Sequence, residues 1–82
     1  MTTLRYFAGA RAAAGTSTEQ TSAATLAEAL DQARASRDQR FGDVLAVCAL
    51  LVDGAPLGSR DPADVPLDGV ELVDVLPPFA GG

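Results

Sequence analysis

Near the middle of the chain lies the stretch TLAEALDQARAS, residues 25–36, which carries its dominant helix signal. Thr25 and Glu28 stand in the positions of a capping box, in which the Thr25 hydroxyl accepts from the Glu28 amide and Glu28 reaches back to the Thr25 amide. The stretch therefore predicts a helix that begins after Thr25 and runs to about Ser36. Its apolar stripe consists of residues spaced three and four apart: Leu26, Ala29, Leu30 and Ala33.

Strand-like segments lie on both sides of this helix. Alternation in the first of them places Leu4 and Tyr6 in the core and Phe7 outward. The first and last strands both carry large apolar side chains, so we expect them to be central neighbours. Strands before and after one main helix predict an α+β domain with that helix across one face of the sheet. The predicted strands are residues 2–8, 16–23, 47–52, 56–57 and 70–76.

Three shorter segments join these elements. Residues 9–15, bounded by glycines, are interpreted as a loop or one tight helical turn. Asp38 is predicted to cap a second short helix whose apolar residues are Phe41, Val44 and Leu45. Asp53-Gly54 is a turn signal of the kind that favours positive φ.

Composition excludes several classes of function. The net charge of −5 disfavours nucleic-acid binding. All six basic residues are Arg and the chain has no His, so neither lysine chemistry nor a Ser-His-Asp arrangement is available. Cys48 lies in an apolar run and is interpreted as a buried, inert core thiol. Without a membrane-length apolar run or a signal peptide, we expect a cytoplasmic protein with no membrane partner.

Four acidic residues invite comparison with a cation site. They lie in a proline-rich loop and a strand without the spacing of metal ligands, so the sequence predicts solvated surface charges and no metal site. These residues are Asp61, Asp64, Asp68 and Asp74.

The sequence ends in a segment that fits neither a sheet nor a helix, residues 77–82. Pro77 and Pro78 hold its base in a stiff, extended form. Phe79 is a single apolar anchor, and Ala80, Gly81 and Gly82 are small enough to thread a narrow channel. The chemistry available to such a tail is activation of the Gly82 carboxylate. The alternative is a frayed end, although frayed ends are usually polar.

Several motifs carry a family resemblance. The ending LPPFAGG, residues 76–82, the opening YFAxxR, residues 6–11, with Gly15-Thr16 after it, and VDG, residues 52–54, resemble the small subunit of molybdopterin synthase. That subunit is one of the ubiquitin-like (β-grasp) sulfur carriers, together with the thiamin-pathway carrier. The resemblance covers essentially the whole chain. It implies a β-grasp domain with a mixed five-stranded sheet in residues 1–76 and an extended tail in residues 77–82.

The resemblance also implies a function and its partners. Gly82 would be adenylated by an ATP-using enzyme related to ubiquitin-activating enzymes, then converted to a thiocarboxylate with sulfur from a donor. The tail would enter the large subunit of molybdopterin synthase and pass its sulfur to cyclic pyranopterin monophosphate. The chain itself would be a non-catalytic subunit with no permanently bound cofactor. The family's partner surface maps onto Phe7, Arg11, Leu57 and Leu76.

The chain departs from the family pattern at three positions. Ala12 stands where the family often has Glu, Leu76 where it often has an aromatic residue, and Val70 where an acid is common. These departures bear on the partner more than on the carrier role. Two alternatives stay open: a sulfur carrier for thiamin or cysteine synthesis, and a ubiquitin-like module that binds without chemistry. A true enzyme is disfavoured by the missing His and Lys.

Overall fold

In the computed structural model, which describes residues 1–78, five strands form one mixed sheet and three α-helices accompany it. Phe79–Gly82, and with them most of the sequence-predicted tail, lie outside the described residues. The elements in chain order are β1 Thr2–Tyr6, α1 Ala8–Ala14, β2 Thr18–Thr21, α2 Leu26–Ala35, α3 Gln39–Ala46, β3 Ala49–Val52, β4 Ala55–Pro56, a 3₁₀ turn Pro62–Asp64, and β5 Leu72–Leu76.

The five-stranded sheet has the order β2-β1-β5-β3-β4. Strands β1 and β5 are parallel central neighbours, and the other paired strands are antiparallel. The expected central position of the first and last strands is therefore confirmed, and so is the α+β class. Side chains on the two central strands alternate between a face covered by helices and an open face.

The core lies between the sheet and the helices. Leu4 and Tyr6 of β1 are buried as the alternation predicts, beside Val73 and Val75 of β5. The predicted apolar stripe of α2 is buried against them. From α3, Phe41 meets Tyr6 edge to face, with 5.7 Å between the ring centroids and 84° between the planes.

Both predicted helix caps form, with one difference. The Thr25 hydroxyl accepts from the Glu28 amide at 3.2 Å, and Asp38 accepts from the Phe41 amide at 3.1 Å. The Glu28 carboxylate, however, accepts from the amide of Ala24 at 3.3 Å and not from that of Thr25. The reciprocal half of the box is therefore displaced by one residue.

The segment after β1 differs most from the prediction. Residues 9–15 are neither a loop nor a single turn, because Ala8–Ala14 forms a seven-residue helix. Alanine has the highest helix propensity, and Gly15 ends the helix with φ +79° and an N–H bond to the Arg11 carbonyl. Ala8, predicted to be the last residue of the first strand, is instead the exposed first residue of α1.

The segment before β3 also differs. The predicted strand at residues 47–52 begins two residues later, because the amides of Val47 and Cys48 bond the carbonyls of Val44 and Leu45 at the end of α3. Cys48 is half-buried and not fully buried, and its thiol donates to the Val44 carbonyl at 3.1 Å.

Candidate functional site

An apolar groove lies where β5 ends and β3 begins, with a volume of about 620 Å³. It is lined by residues 7–9 at the start of α1, by Val47 and Ala49, and by residues 76–78. Strands β1 and β5 run parallel, so both deliver their carboxyl ends to this edge of the sheet. The groove therefore surrounds the point from which residues 79–82 continue.

Phe7 is held in the groove wall by its own backbone. Its amide donates to the Val75 carbonyl at 3.2 Å, which extends the pairing of β1 and β5 by one residue. Its carbonyl accepts from the amides of Ala10 and Arg11 at 2.9 and 3.2 Å, which begins helix α1. The next residue, Ala8, has φ +47°, a left-handed conformation that costs an alanine about 1–2 kcal/mol. The turn from strand to helix beneath the groove is thus strained and fixed on both sides.

The opposite wall comes from β5 and β3. Leu76 pairs with Ala49 across the antiparallel ladder and is half-buried. Val47 caps the end of α3 and is 62% exposed. Small side chains at Ala8, Gly9 and Ala49 leave the space between the walls open. The result is an exposed apolar surface of the kind that marks a protein interaction site.

Two of the four residues assigned to the partner surface meet in this groove, and two do not. Phe7 and Leu76 line it. Arg11 is exposed on α1 and does not line the groove, and Leu57 is half-buried against the core after β4. A role for Arg11 and Leu57 in partner binding stays a prediction.

Sequence reasoning missed Val47 as a groove residue because it placed that residue in a strand. The apolar residues Phe41, Val44, Leu45 and Cys48 recur at helical spacing, and Val47 lies off that stripe. Continuing the α3 stripe to Cys48 would have left Val47 on the surface.

A titratable side chain, the Cys48 thiol, stands in the chain between the groove residues Val47 and Ala49. Burial raises the pKa of the Cys48 thiol, which disfavours the reactive thiolate. No group of three or more His, Cys, Asp or Glu residues within positions 1–78 is arranged to hold a metal ion. What the groove offers is an apolar surface at the base of the terminal segment.

One of the four acids predicted to be solvated is not. The Asp74 side chain is 10% exposed and forms an ion pair with Arg5 of the neighbouring strand at 2.7 Å. The two residues are register partners of β5 and β1 on the open face of the sheet. Asp61, Asp64 and Asp68 are exposed as expected.

The sheet order, the main helix across one sheet face and the groove at the end of β5 together define a ubiquitin-like β-grasp domain. Comparison with known families agrees, since the model of the ThiS family matches residues 4–82. The chain therefore belongs to the ThiS family of ubiquitin-like sulfur carriers. A search of curated proteins gave no match. None of the helices within residues 1–78 has the length and apolar character needed to cross a membrane.

Proposed function

We propose that this chain is the sulfur-carrying subunit of a molybdopterin synthase and that Gly82 bears the sulfur as a thiocarboxylate. The observation that carries the proposal is the apolar groove at the base of the terminal segment, with Phe7 and Leu76 in its walls. A carrier of this kind needs a docking surface next to its reactive end and no catalytic side chains of its own.

The chemistry at Gly82 proceeds in two transfers. A carboxylate oxygen attacks the α-phosphorus of ATP, and pyrophosphate leaves as the acyl-adenylate forms. Sulfide-level sulfur from a donor then attacks the carbonyl carbon, the bond to AMP breaks, and a thiocarboxylate remains. When this sulfur passes to the pterin precursor, water restores the carboxylate. An activating enzyme related to those of ubiquitin carries out the first transfer.

The chain's own contribution is to hold and aim the terminal segment. Pro77 is half-buried at the groove and Pro78 is exposed, so the last described residues leave the domain through two rigid peptide units. The four residues beyond them allow a reach of roughly 13 Å at about 3.3 Å per residue. A stiff base lowers the entropy lost when that segment enters a partner's active site.

The molybdenum cofactor pathway is favoured over its alternatives by the terminal and N-terminal motifs. LPPFAGG at residues 76–82 and YFAxxR at residues 6–11 resemble the molybdopterin synthase subunit more than the thiamin carrier. The net charge of −5 suits a partner with a basic pocket for a phosphorylated pterin. Carriers for thiamin or cysteine synthesis use the same terminal chemistry, so a role in one of these pathways is the alternative. We propose a cytoplasmic location, where ATP and the activating enzyme are available.

A paired assay tests the assignment. Thiocarboxylated protein is mixed in one arm with a molybdopterin synthase large subunit and cyclic pyranopterin monophosphate, and in the other with the thiazole-forming synthase of the thiamin pathway. We expect dithiolene product in the first arm, with two carriers consumed per product because two sulfurs are added. Product only in the second arm would reject the pathway and keep the carrier chemistry. If neither arm gives product and the thiocarboxylate remains intact, both the molybdenum-cofactor and the thiamin assignments are rejected.

A further inference from the structure

The open face of the sheet carries a rigid ion pair beside the groove. Arg5 donates to Asp74 twice, from Nε to Oδ1 at 2.7 Å and from Nη2 to Oδ2 at 3.1 Å. The two residues lie opposite each other on the central strands β1 and β5. A two-point contact between neighbouring strands fixes the plane of the guanidinium.

The same guanidinium also touches the groove wall. Its central carbon lies 5.1 Å from the centroid of the Phe7 ring, within cation–π range. Arg5 therefore links Asp74 on one side to Phe7 on the other, and Phe7 lines the groove. Both contacts together fix the position of the Arg5 guanidinium next to Phe7.

One edge of this guanidinium is free among the described residues. Only Nε and Nη2 bond to protein acceptors within positions 1–78, which leaves the Nη1 donors without one. The Arg5 side chain is 44% exposed, so solvent or a partner reaches it. Asp74, which is 10% exposed, remains behind it and compensates its charge.

Stability gives little reason for this arrangement. The Arg5 side chain is 44% exposed, and an ion pair that solvent reaches contributes little to stability. The neighbours on this face include Leu72 and Leu76 of β5 and Leu51 of β3, so an apolar pair would fit its surroundings. The specific property that the pair adds is a fixed hydrogen-bond donor with compensated charge next to an apolar groove.

We propose that Arg5, oriented by Asp74 and Phe7, is a recognition residue of the docking surface and donates from Nη1 to a neutral oxygen of the partner protein. That oxygen belongs to a backbone carbonyl or an amide side chain of the partner segment whose apolar side chain occupies the groove. A neutral acceptor fits because Asp74 already balances the Arg5 charge. The identity of the partner rests on the proposed function, so the partner used in the test is the molybdopterin synthase large subunit.

The test is a calorimetric titration of the large subunit with the wild-type chain and its variants at two ionic strengths. Arg5→Lys keeps the charge beside Asp74 but removes the planar guanidinium. We expect Kd to rise about tenfold, because one hydrogen bond from a charged donor to the partner is lost. The double variant Arg5→Leu with Asp74→Leu should lose as much affinity while its melting temperature stays near that of the wild type. Arg34→Lys is the matched control, because Arg34 forms an Arg–Asp pair with Asp31 at 2.7 Å on helix α2.

The outcomes separate the two proposals. If the wild type binds and both Arg5 variants bind equally well, Arg5 is not a recognition residue, and the carrier function is untouched. If the loss for the double variant shrinks at high ionic strength, the acceptor is charged and the neutral-oxygen assignment fails. If the wild type does not bind the large subunit at all, the proposed function fails and takes this inference with it. Should the double variant not fold, Arg5→Lys alone decides.

Discussion

Arg37 and Glu19 form an ion pair between the end of α2 and strand β2, with 3.1 Å between Nη2 and Oε2. The Arg37 side chain is only 12% exposed and also donates to the carbonyl of Ala14, the last residue of α1. Its guanidinium lies 4.8 Å from the Phe41 ring centroid and 5.6 Å from that of Tyr6. The Tyr6 hydroxyl in turn donates to Glu19 at 2.7 Å. One side chain thus joins α1, α2 and β2 to the aromatic core.

Replacing Arg37 with alanine should destabilise the fold. The change leaves the Glu19 carboxylate and the Ala14 carbonyl without their shared donor, and we expect a loss of about 2–3 kcal/mol in the free energy of unfolding. Urea unfolding near neutral pH measures it. Arg40→Ala removes the same charge from an exposed position and should change stability by less than about 0.5 kcal/mol. Equal losses in the two variants would mean that the Arg37 network contributes nothing specific.

The same network predicts a dependence on pH. Burial alone would raise the pKa of Glu19, but the hydrogen bonds from Arg37 and Tyr6 and the Arg37 charge together hold it below its ordinary value of 4.5. The ionised carboxylate therefore stabilises the fold fully above pH 4.5, and this contribution is lost as pH falls through the lowered pKa. The stability advantage of wild type over Glu19→Gln should be constant near neutrality and shrink in acid. Unfolding curves at several pH values check this. A stability difference between wild type and Glu19→Gln that grew in acid would mean that the fold raises the pKa of Glu19.

Substitutions in the groove should weaken partner binding. Val47→Asp places a charge on a side chain that is 62% exposed, so we expect little change in melting temperature and a loss of about 1–4 kcal/mol in binding the large subunit or activating enzyme. Ala63→Asp adds the same charge at an exposed site outside the groove and should bind normally. Phe7→Arg and Leu76→Asp should also weaken binding. Normal binding by all three groove variants would show that the docking surface lies elsewhere.

The sulfur should reside on Gly82 and not on Cys48. In protein purified from its own host, we expect a fraction heavier by the difference between one sulfur and one oxygen atom, located by fragment mass spectrometry at the terminal glycine. Cys48→Ala should keep that fraction and lose only about 1 kcal/mol of stability, because the thiol is half-buried. Sulfur found only as a persulfide on Cys48 would exclude the carboxylate mechanism.

A residue added after Gly82 should abolish adenylation, because the carboxylate that attacks ATP then belongs to another residue. The melting temperature should barely move, since the addition lies beyond the strands and helices of the core. An ATP–pyrophosphate exchange assay with the activating enzyme reports adenylation. Full function with the extension in place and unprocessed would favour a ubiquitin-like module that binds without chemistry.

Elements with local signals could be predicted from the sequence. Helix α2 follows from its apolar spacing and the Thr25 cap. Helix α3 follows from the Asp38 cap and the spacing of the apolar residues Phe41, Val44 and Leu45. The burial of Leu4 and Tyr6 follows from strand alternation. Each of these properties depends on residues a few positions apart, so no knowledge of the tertiary structure was needed.

Properties that depend on distant contacts could not be predicted in this way. The alanine-rich segment of α1 has no clear apolar stripe. The sequence therefore did not indicate that this helix packs beside α3. Asp74 looked like a surface charge, because its partner Arg5 lies 69 positions away and meets it only through the register of β1 and β5. The groove combines residues from three separate segments in the same way.

The parallel pairing of β1 with β5 sets the order in which the chain acquires its structure. During synthesis, β1 emerges early but lacks its inner neighbour until residues 69 positions later have followed. At ordinary translation rates this interval is roughly 3–14 s, far longer than the formation of a local element such as helix α1. Until β5 has been made, the inner edge of β1 has no partner strand, and an unpaired strand edge is a template for association with other chains. Pairing with β5 is what removes that edge in the finished domain.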